Sequence, residues 1–307
     1  MHEGDSTTVL LSELKISDRA SLIRDAAVSG AGLLSTTRPG AVCFLREKRG
    51  LRELLGNENV GAVVTTQELG ADVPSQLGLI VHPDPVSLFV EIHEILGGID
   101  GIYGKTAETK IADTAIIHER AYVAPSNVRI GARAVVEPNA SILEGVTLGA
   151  DVVVRAGAVI GAEGFHVEET VAGPRSLRHY GEVLIGAGTE IQSNSNVVRG
   201  LFGDSTTIGE RVTIGGNCQI GHTVKIGDCS VVRPFTLISG GSELGAKCWI
   251  AAGVRISNGT RLGENSAVFF SEVVTADIPA DSAYARKRIM PKPEFMRLVS
   301  AAKLSRR

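Results

Sequence analysis

From Ile208 to Val274 an aliphatic residue returns at every sixth position: Ile208, Ile214, Ile220, Ile226, Val232, Ile238, Leu244, Ile250, Ile256, Leu262, Val268 and Val274. The residue after it is usually small, as at Gly209, Gly215, Gly221, Gly227 and Ser239. A second slim residue follows four places on, as at Val212, Cys218, Ser230, Thr236 and Ser242. A helix repeats every 3.6 residues and a half-buried strand every two, so neither explains a beat of six. The beat predicts a parallel β-helix, mainly β, in which each hexad gives one short strand and one corner and the aliphatic residues stack inside.

The same beat runs earlier in the chain. Ile111, Ile117 and Val123 are in register, one extra residue shifts the frame to Ile130, and Val136, Ile142, Leu148, Val154 and Ile160 follow. Register is lost through Glu163 to Val183, returns at Ile185, Ile191 and Val197, and is broken once more by Gly200 to Thr207. The coil domain therefore spans residues 106–280, with one long and one short loop leaving it. Loops that interrupt a solenoid are where function concentrates, because the coils need none of them.

Residues 1–105 do not follow the beat. The apolar runs Leu10–Leu14, Ala41–Leu45, Val60–Thr65 and Gly78–Val81 are bounded by Gly, Pro and Asp and predict strands. Glu47–Leu55 and Val86–Leu96 have helical spacing, the second opened by Asp84-Pro85, with Val86, Phe89, Val90, His93 and Leu96 near one face. This is a small α/β domain, joined through Gly97–Thr106 to the coils. Residues 281–307 form a basic tail: Ala285 to Arg307 holds eight Lys and Arg against Glu294 alone, with helical spacing from Glu294 to Leu304. It is either a solvated end or a dock for an acidic partner.

Composition narrows the function classes. Aromatics make up 4% of 307 residues while Gly numbers 36, which suits thin, tightly turning coils. The net charge of −3 offers no general argument for nucleic-acid binding. Cys43, Cys218, Cys229 and Cys248 have no CxxC spacing and are expected to be reduced core thiols rather than metal ligands or disulfides. No basic segment followed by an apolar run opens the chain, and no stretch approaches 18 apolar residues. The expectation is a cytoplasmic protein with at most peripheral membrane contact.

Of seven histidines, only His222 lies inside the long unbroken run. Ile220 and Val224 point inward, so His222 projects outward near a corner, where an imidazole can accept a proton near neutral pH. In the left-handed β-helix that the resemblance described below implies, three hexads make one coil, which sets Gly240, three hexads on, beside His222 at the spacing of neighbouring strands. Its bare N–H is a candidate oxyanion donor, against the simpler role of a structural corner glycine. His118, His166 and His179 are not at whole-coil offsets from His222 or from one another, which argues against a three-histidine zinc site.

The coil run, the α/β domain before it and the string QIGHTVKIGD together resemble the UDP-3-O-acylglucosamine N-acyltransferases of lipid A synthesis. The segments AVCFL, GAVVTTQEL and VHPDPVSLFVEIHEIL look like that family's uridine-contacting domain. Ile160 to Phe165 resembles its IGxDGFGF motif, Asn194 with Arg199-Gly200 its IGANTxIDRG stretch, and Ile238-Ser239-Gly240 its ISG. The resemblance implies a left-handed β-helix that transfers a hydroxyacyl group from acyl carrier protein to the 2-amine of a UDP-linked glucosamine derivative, in a homotrimer. It implies no bound cofactor, since the carrier's phosphopantetheine thioester is the donor substrate. His222 matches the family's general base, with Gly240 as the second catalytic position. Phe44, Phe165, Asn194, Arg199, Asp204 and Ser239 are the implied substrate-side residues.

The chain also departs from the family. The orienting acid seven residues before the base is Gly215 here, the second histidine aligns with Gly259, and Leu51 stands where a uracil-stacking tyrosine is expected. Asp204, three hexads before His222, is a candidate replacement for the lost carboxylate. Two further functions remain open at this stage: an acetyl-CoA-dependent nucleotide-sugar N-acetyltransferase, and a non-catalytic hexapeptide-repeat scaffold. Outward Val231, Phe235, Phe269 and Phe270 offer an apolar surface for assembly.

Overall fold

A computed structural model of the chain describes residues 7–286, 288–294 and 296–297. They divide into two compact units, one of residues 1–106 with 165–180 and one of residues 107–164 with 181–307.

In the second unit the hexads become three parallel sheets wound as one β-helix. The first face carries the strands that end at Ile111, Ile130, Leu148, Ile185, Ile208, Ile226, Leu244 and Leu262. The second carries Ile117 through Val268, extended by Ser282–Ala285 and its antiparallel partner Arg288–Pro291, and the third carries Val123 through Val274. Strand partners sit three hexads apart in the long run, as in Thr213↔Val231 and Val231↔Trp249. The one-residue slip near Ile130 is real, since Ile111 pairs with Ile130 and Ile117 with Val136. The two losses of beat appear as the wider offsets Leu148↔Ile185 and Ile185↔Ile208.

The aliphatic residues of the beat form one continuous buried cluster from Val128 to Ile278. Hydroxyls and thiols are tolerated among them because most find a carbonyl on a neighbouring coil. Ser195 Oγ donates to Gly215 O at 2.7 Å, Ser242 Oγ to Ser257 O at 2.9 Å, and Cys248 Sγ to Gly263 O at 3.3 Å. A buried hydroxyl without a partner would cost about 1–3 kcal/mol. The corners turn through left-handed backbone, at Asn194 (φ 59°), Thr223 (φ 58°), Cys229 (φ 58°) and Phe235 (φ 61°) among others. That conformation disfavours residues with a Cβ by about 1–2 kcal/mol each, a strain the stacked coils offset. Cys43, Cys218 and Cys248 are buried, but Cys229 is exposed at its corner, which corrects the expectation of four core thiols.

In the first unit a five-stranded sheet runs in the order Ser21–Arg24, Gly78–Val81, Val60–Thr65, Ala41–Leu45, Gly30–Ala31. Three of the four expected strands stand. Leu10–Leu14 does not: only Val9–Leu10 is extended, and Leu11–Glu13 is a 3-10 turn. Leu10 N–H donates to the Glu13 carboxylate at 3.1 Å and Ser12 Oγ to Asp25 at 2.5 Å, and these bonds curl the chain. The helix expected from Glu47 is a 3-10 turn over Lys48–Gly50 followed by an α-helix over Leu51–Leu55. The helix Pro85–Gly97 is capped by the Asp84 carboxylate accepting from Ser87 N–H at 3.2 Å, with Pro85 in its first turn.

Residues 165–180, which the beat leaves as a bare loop, form a hairpin of Val167–Thr170 against Gly173–Ser176 within this unit. Its hold is a chain of hydrogen bonds. Ala31 N–H donates to Tyr103 Oη at 2.8 Å, Tyr103 O–H donates to His93 Nδ1 at 2.9 Å, and His93 Nε2–H donates to Arg178 O at 2.9 Å. Because the carbonyl can only accept, this order fixes the His93 tautomer. Tyr180 stacks on Tyr103 with ring centroids 5.3 Å apart and lies over Gly97, where a Cβ would overlap its ring. The tail helix expected over Glu294–Leu304 begins at residue 292, and Phe295 and residues 298–307 lie outside the described residues.

His93 is fully buried, and burial pushes its pKa down from 6.5 to about 4. The folded unit therefore keeps a neutral imidazole in a window where the unfolded chain binds a proton. Stability is full above pH ~6.5 and is lost as pH falls toward ~4, by up to about 1.4 kcal/mol per pH unit from this group. Hydrogen exchange of the Pro85–Gly97 amides from pH 7 to 4.5 should show that slope, and His93→Gln should flatten it. An unchanged slope in the variant would assign the acid sensitivity elsewhere.

Candidate active site

His222 sits at the corner where the third face, Gln219–Ile220, turns into the first, Lys225–Ile226. The next residue, Thr223, takes the left-handed φ of 58°, so His222 itself keeps ordinary backbone. The corner is fixed across coils: Thr223 N–H donates to Thr206 Oγ1 on the preceding coil at 2.8 Å, and Gly241 N–H on the following coil donates to His222 O at 2.9 Å.

The imidazole lies on Gly240, as the one-coil offset predicts. A Cβ on Gly240 would meet the ring at Nε2 and come within 2.5 Å of Cε1, so only glycine leaves the ring where it is. Nε2 belongs to the ring edge over Gly240, while Nδ1 faces the Thr223 hydroxyl at 3.5 Å. Gly221 has a matching role: a Cβ there would stand 2.6 Å from Gly240 N. Two glycines on adjacent coils thus keep one N–H open beside one imidazole edge, and among the described residues the Gly240 N–H donates to no group. Sequence reasoning passed over Gly221, although the string IGH held it. Further along the corner, a Cβ on Gly259 would meet nothing within 4 Å, so the strip past Gly240 is bare backbone.

The other candidates separate. Ser239 adjoins Gly240, its N–H donating to Ile256 O at 3.0 Å. Asp204 ends the short irregular segment on the coil before His222: the first-face register Ile208↔Ile226 continued backward points to it, while the third-face register Val197↔Ile220 continued forward points to Arg199. Asn194 occupies another corner, between the second and third faces, where its amide oxygen lies on Gly157. Arg199 braces the coil. Its Nε donates to Gly161 O at 2.8 Å and its Nη2 to Glu144 O at 2.6 Å, and burial depresses its pKa while Glu163 and Glu144 oppose that. Phe44 and Phe165 belong to the first unit. Phe44 is half-buried against Phe89 at 4.9 Å, and Phe165 is 91% exposed.

Gly215, at the place of the family's orienting acid, ends a second-face strand one corner away from His222. A Cβ there would be 2.6 Å from Pro234 Cδ and 2.8 Å from Arg233 C. Any carboxylate at 215 would therefore need the next coil's backbone to move.

Comparison with known proteins agrees with this geometry. The family profile described as bacterial transferase hexapeptide (six repeats) matches residues 127–162 and 205–240. A UDP-3-O-acylglucosamine N-acyltransferase of Bordetella pertussis is 25% identical over 88% of this chain and 83% of its own length. Enzymes of that name from Hahella chejuensis and Caulobacter sp. (strain K31) are 29% and 33% identical over 48% and 49% of this chain. The chain spans 42% and 44% of those two relatives. Among solved structures, a UDP-N-acetylglucosamine acyltransferase from Campylobacter jejuni superposes with a TM-score of 0.51 at 21% identity, covering 59% of this chain and 68% of that one. That likeness concerns the fold, a left-handed β-helix. The chain is thus similar to UDP-3-O-acylglucosamine N-acyltransferases and carries the hexapeptide repeats of bacterial transferases.

Proposed function

We propose that the protein is an N-acyltransferase that moves a hydroxyacyl group from acyl carrier protein to the 2-amine of a UDP-linked glucosamine derivative. The observation that carries the proposal is the His222 imidazole edge lying on the bare backbone of Gly240. Nε2 takes a proton from the sugar amine as its nitrogen attacks the thioester carbonyl. The carbonyl oxygen becomes an oxyanion, and the Gly240 N–H donates to it. The intermediate collapses to an amide, and the thiolate that leaves is protonated. With Nε2 as the base, Nδ1 carries the proton and donates toward Thr223 Oγ1. The same corner would serve an acetyl-CoA donor, so product analysis must separate the two.

Assembly and location complete the proposal. Phe235 and Phe270 are 68% and 46% exposed on the coils, Phe270 beside Trp249, and a homotrimer would cover such residues. Among the described residues no helix is long and apolar enough to cross a membrane, which fits a cytoplasmic enzyme using a cytoplasmic carrier. The basic residues from Arg286 to Arg307 would meet the acidic carrier, steering association in a salt-dependent way.

Each part of the proposal has its own test. A panel of UDP-amino sugars with acyl-carrier and acetyl-CoA donors, read by mass spectrometry, should give an N-acylated UDP-glucosamine derivative from the carrier donor. Transfer from acetyl-CoA alone would move the protein to the N-acetyltransferases. His222→Ala should lower kcat by roughly 10²–10⁴ with stability little changed, and Gly240→Ala should also lower kcat while shifting the His222 imidazole resonances. Near-normal turnover in His222→Ala would remove that residue from the chemistry. Deleting residues 286–307 should raise KM for the carrier donor at low salt, leave the sugar KM nearly unchanged, and matter less by about 0.5 M salt. Light scattering that finds a monomer at micromolar concentration would exclude the trimer.

A further inference from the structure

A base that works from a corner needs something to hold its ring and favour its charged form, and the position that commonly does this is occupied by Gly215. The coil before His222 offers an alternative. Beyond the pairs Thr207↔Lys225 and Ile208↔Ile226, the bond from Thr223 N–H to Thr206 Oγ1 carries the registration into the corner. Continued backward by two residues, the first-face register points Asp204 toward His222, while the third-face register Val197↔Ile220 continued forward reaches Arg199, so residues 200–204 are the insertion between the two. His222 thus has Gly240 on the following coil, and the segment that ends at Asp204 on the preceding one.

The chain fixes Asp204 with some effort. Its carbonyl accepts from Glu182 N–H at 3.1 Å and is packed against Gly181 and Gly200, where a Cβ on either would overlap that oxygen. The short irregularity before it widens the coil offset from 18 to 23, as Ile185↔Ile208 shows against Ile208↔Ile226. The extra residues fall between Arg199 and Ser205, and the Asp204 carbonyl accepts from Glu182 N–H while Thr223 N–H is taken by Thr206 Oγ1. On the imidazole, Nε2, Cε1 and Cδ2 form the edge over Gly240, which leaves Nδ1 on the far side of the ring.

We propose that Asp204 is the positioning residue of His222, its carboxylate holding the imidazole from the preceding coil and stabilising the imidazolium formed when the base takes its proton. This rests on the acyl-transfer function proposed above, although its first test does not need that function. On the first-face strands that lead away from this corner, the charged groups have partners of their own. Lys225 and Glu243 pair with each other at 3.0 Å, Arg261 reaches Glu243 at 3.7 Å, and burial raises the carboxyl of Glu182 against the pull of Arg129. Asp204 is the carboxylate that the first-face register points toward His222.

The test is an NMR titration of the His222 ring in the full-length protein, assigned by the signal missing in His222→Ala. A nearby carboxylate favours imidazolium, so Asp204→Asn should lower the midpoint by about half a unit or more. The acidic limb of the kcat/KM profile should move to lower pH by the same amount. At pH 7.5 kcat should fall about 10- to 100-fold, within the range of acid–base contributions, while the sugar KM stays within about threefold. An unmoved midpoint overturns the proposal, and so does a raised sugar KM with an unmoved midpoint, which would make Asp204 a substrate contact. A midpoint that shifts in a protein with no transfer activity upholds the positioning role and sinks the acyl-transfer function. Should Asp204→Asn fail to fold, Asp204→Ser is judged by the same midpoint.

Discussion

Each coil of this protein must close in three hexads so that its backbone lands on the backbone of the coil before it. Nearly every other feature follows from that closure. The inward aliphatic residues meet their counterparts only if strands stay in register, and the interior from Val128 to Ile278 is unbroken because they do. Closure also crowds the corners. At Gly227, a Cβ would come within 2.5 Å of Ala246 N, and at Gly245 within 2.5 Å of Glu264 N. These glycines are set by the approach of the next coil more than by turn conformation. The left-handed corners, in contrast, carry Asn, Thr, Cys and Phe, so their strain is outweighed by the stack.

The same closure turns sequence spacing into proximity. Residues three hexads apart become neighbours, which is how His222 and Gly240 meet on one corner although they are distant in sequence. Gly215 lies a corner away from His222 and under the Arg233–Pro234 backbone. An acid restored there would strain the coil, and within one chain it would project from the wrong edge of the prism.

How much was legible in the sequence depended on whether a feature obeyed the beat. The coils, their slip near Ile130 and the pairing of His222 with Gly240 all did, because a strict period fixes distance without knowledge of the fold. The first unit's central strands were legible from apolar runs between turn residues. What escaped was set by contacts between distant, aperiodic segments. Nothing in residues 165–180 announces a hairpin that closes on His93, since the partners Ala31, Tyr103 and Arg178 come from three separate stretches. Leu10–Leu14 misled because Glu13 and Asp25 capture local N–H and hydroxyl groups, an effect invisible to a hydrophobic pattern. Arg199 looked like a substrate contact by motif, yet two of its donors are taken by carbonyls of its own unit.

The precision of the candidate site comes from this division of labour at the corner. A catalytic side chain must be held within about half an ångström of its working place, which a free surface histidine is not. Here the left-handed residue is Thr223, so the turn is made one position past the functional one and His222 keeps a relaxed backbone. The bonds that fix the corner run through Thr223 N–H to one coil and His222 O to the other. The imidazole is then confined by what its neighbours lack. Gly240 gives it a flat seat, Gly221 leaves the adjoining N–H uncovered, and Gly259 leaves the path beyond open. Replacing any of these with a residue that merely preserved the β-helix would keep the fold and change the site. Repeat proteins of this kind can therefore share a scaffold closely and differ in chemistry through a few positions along one edge.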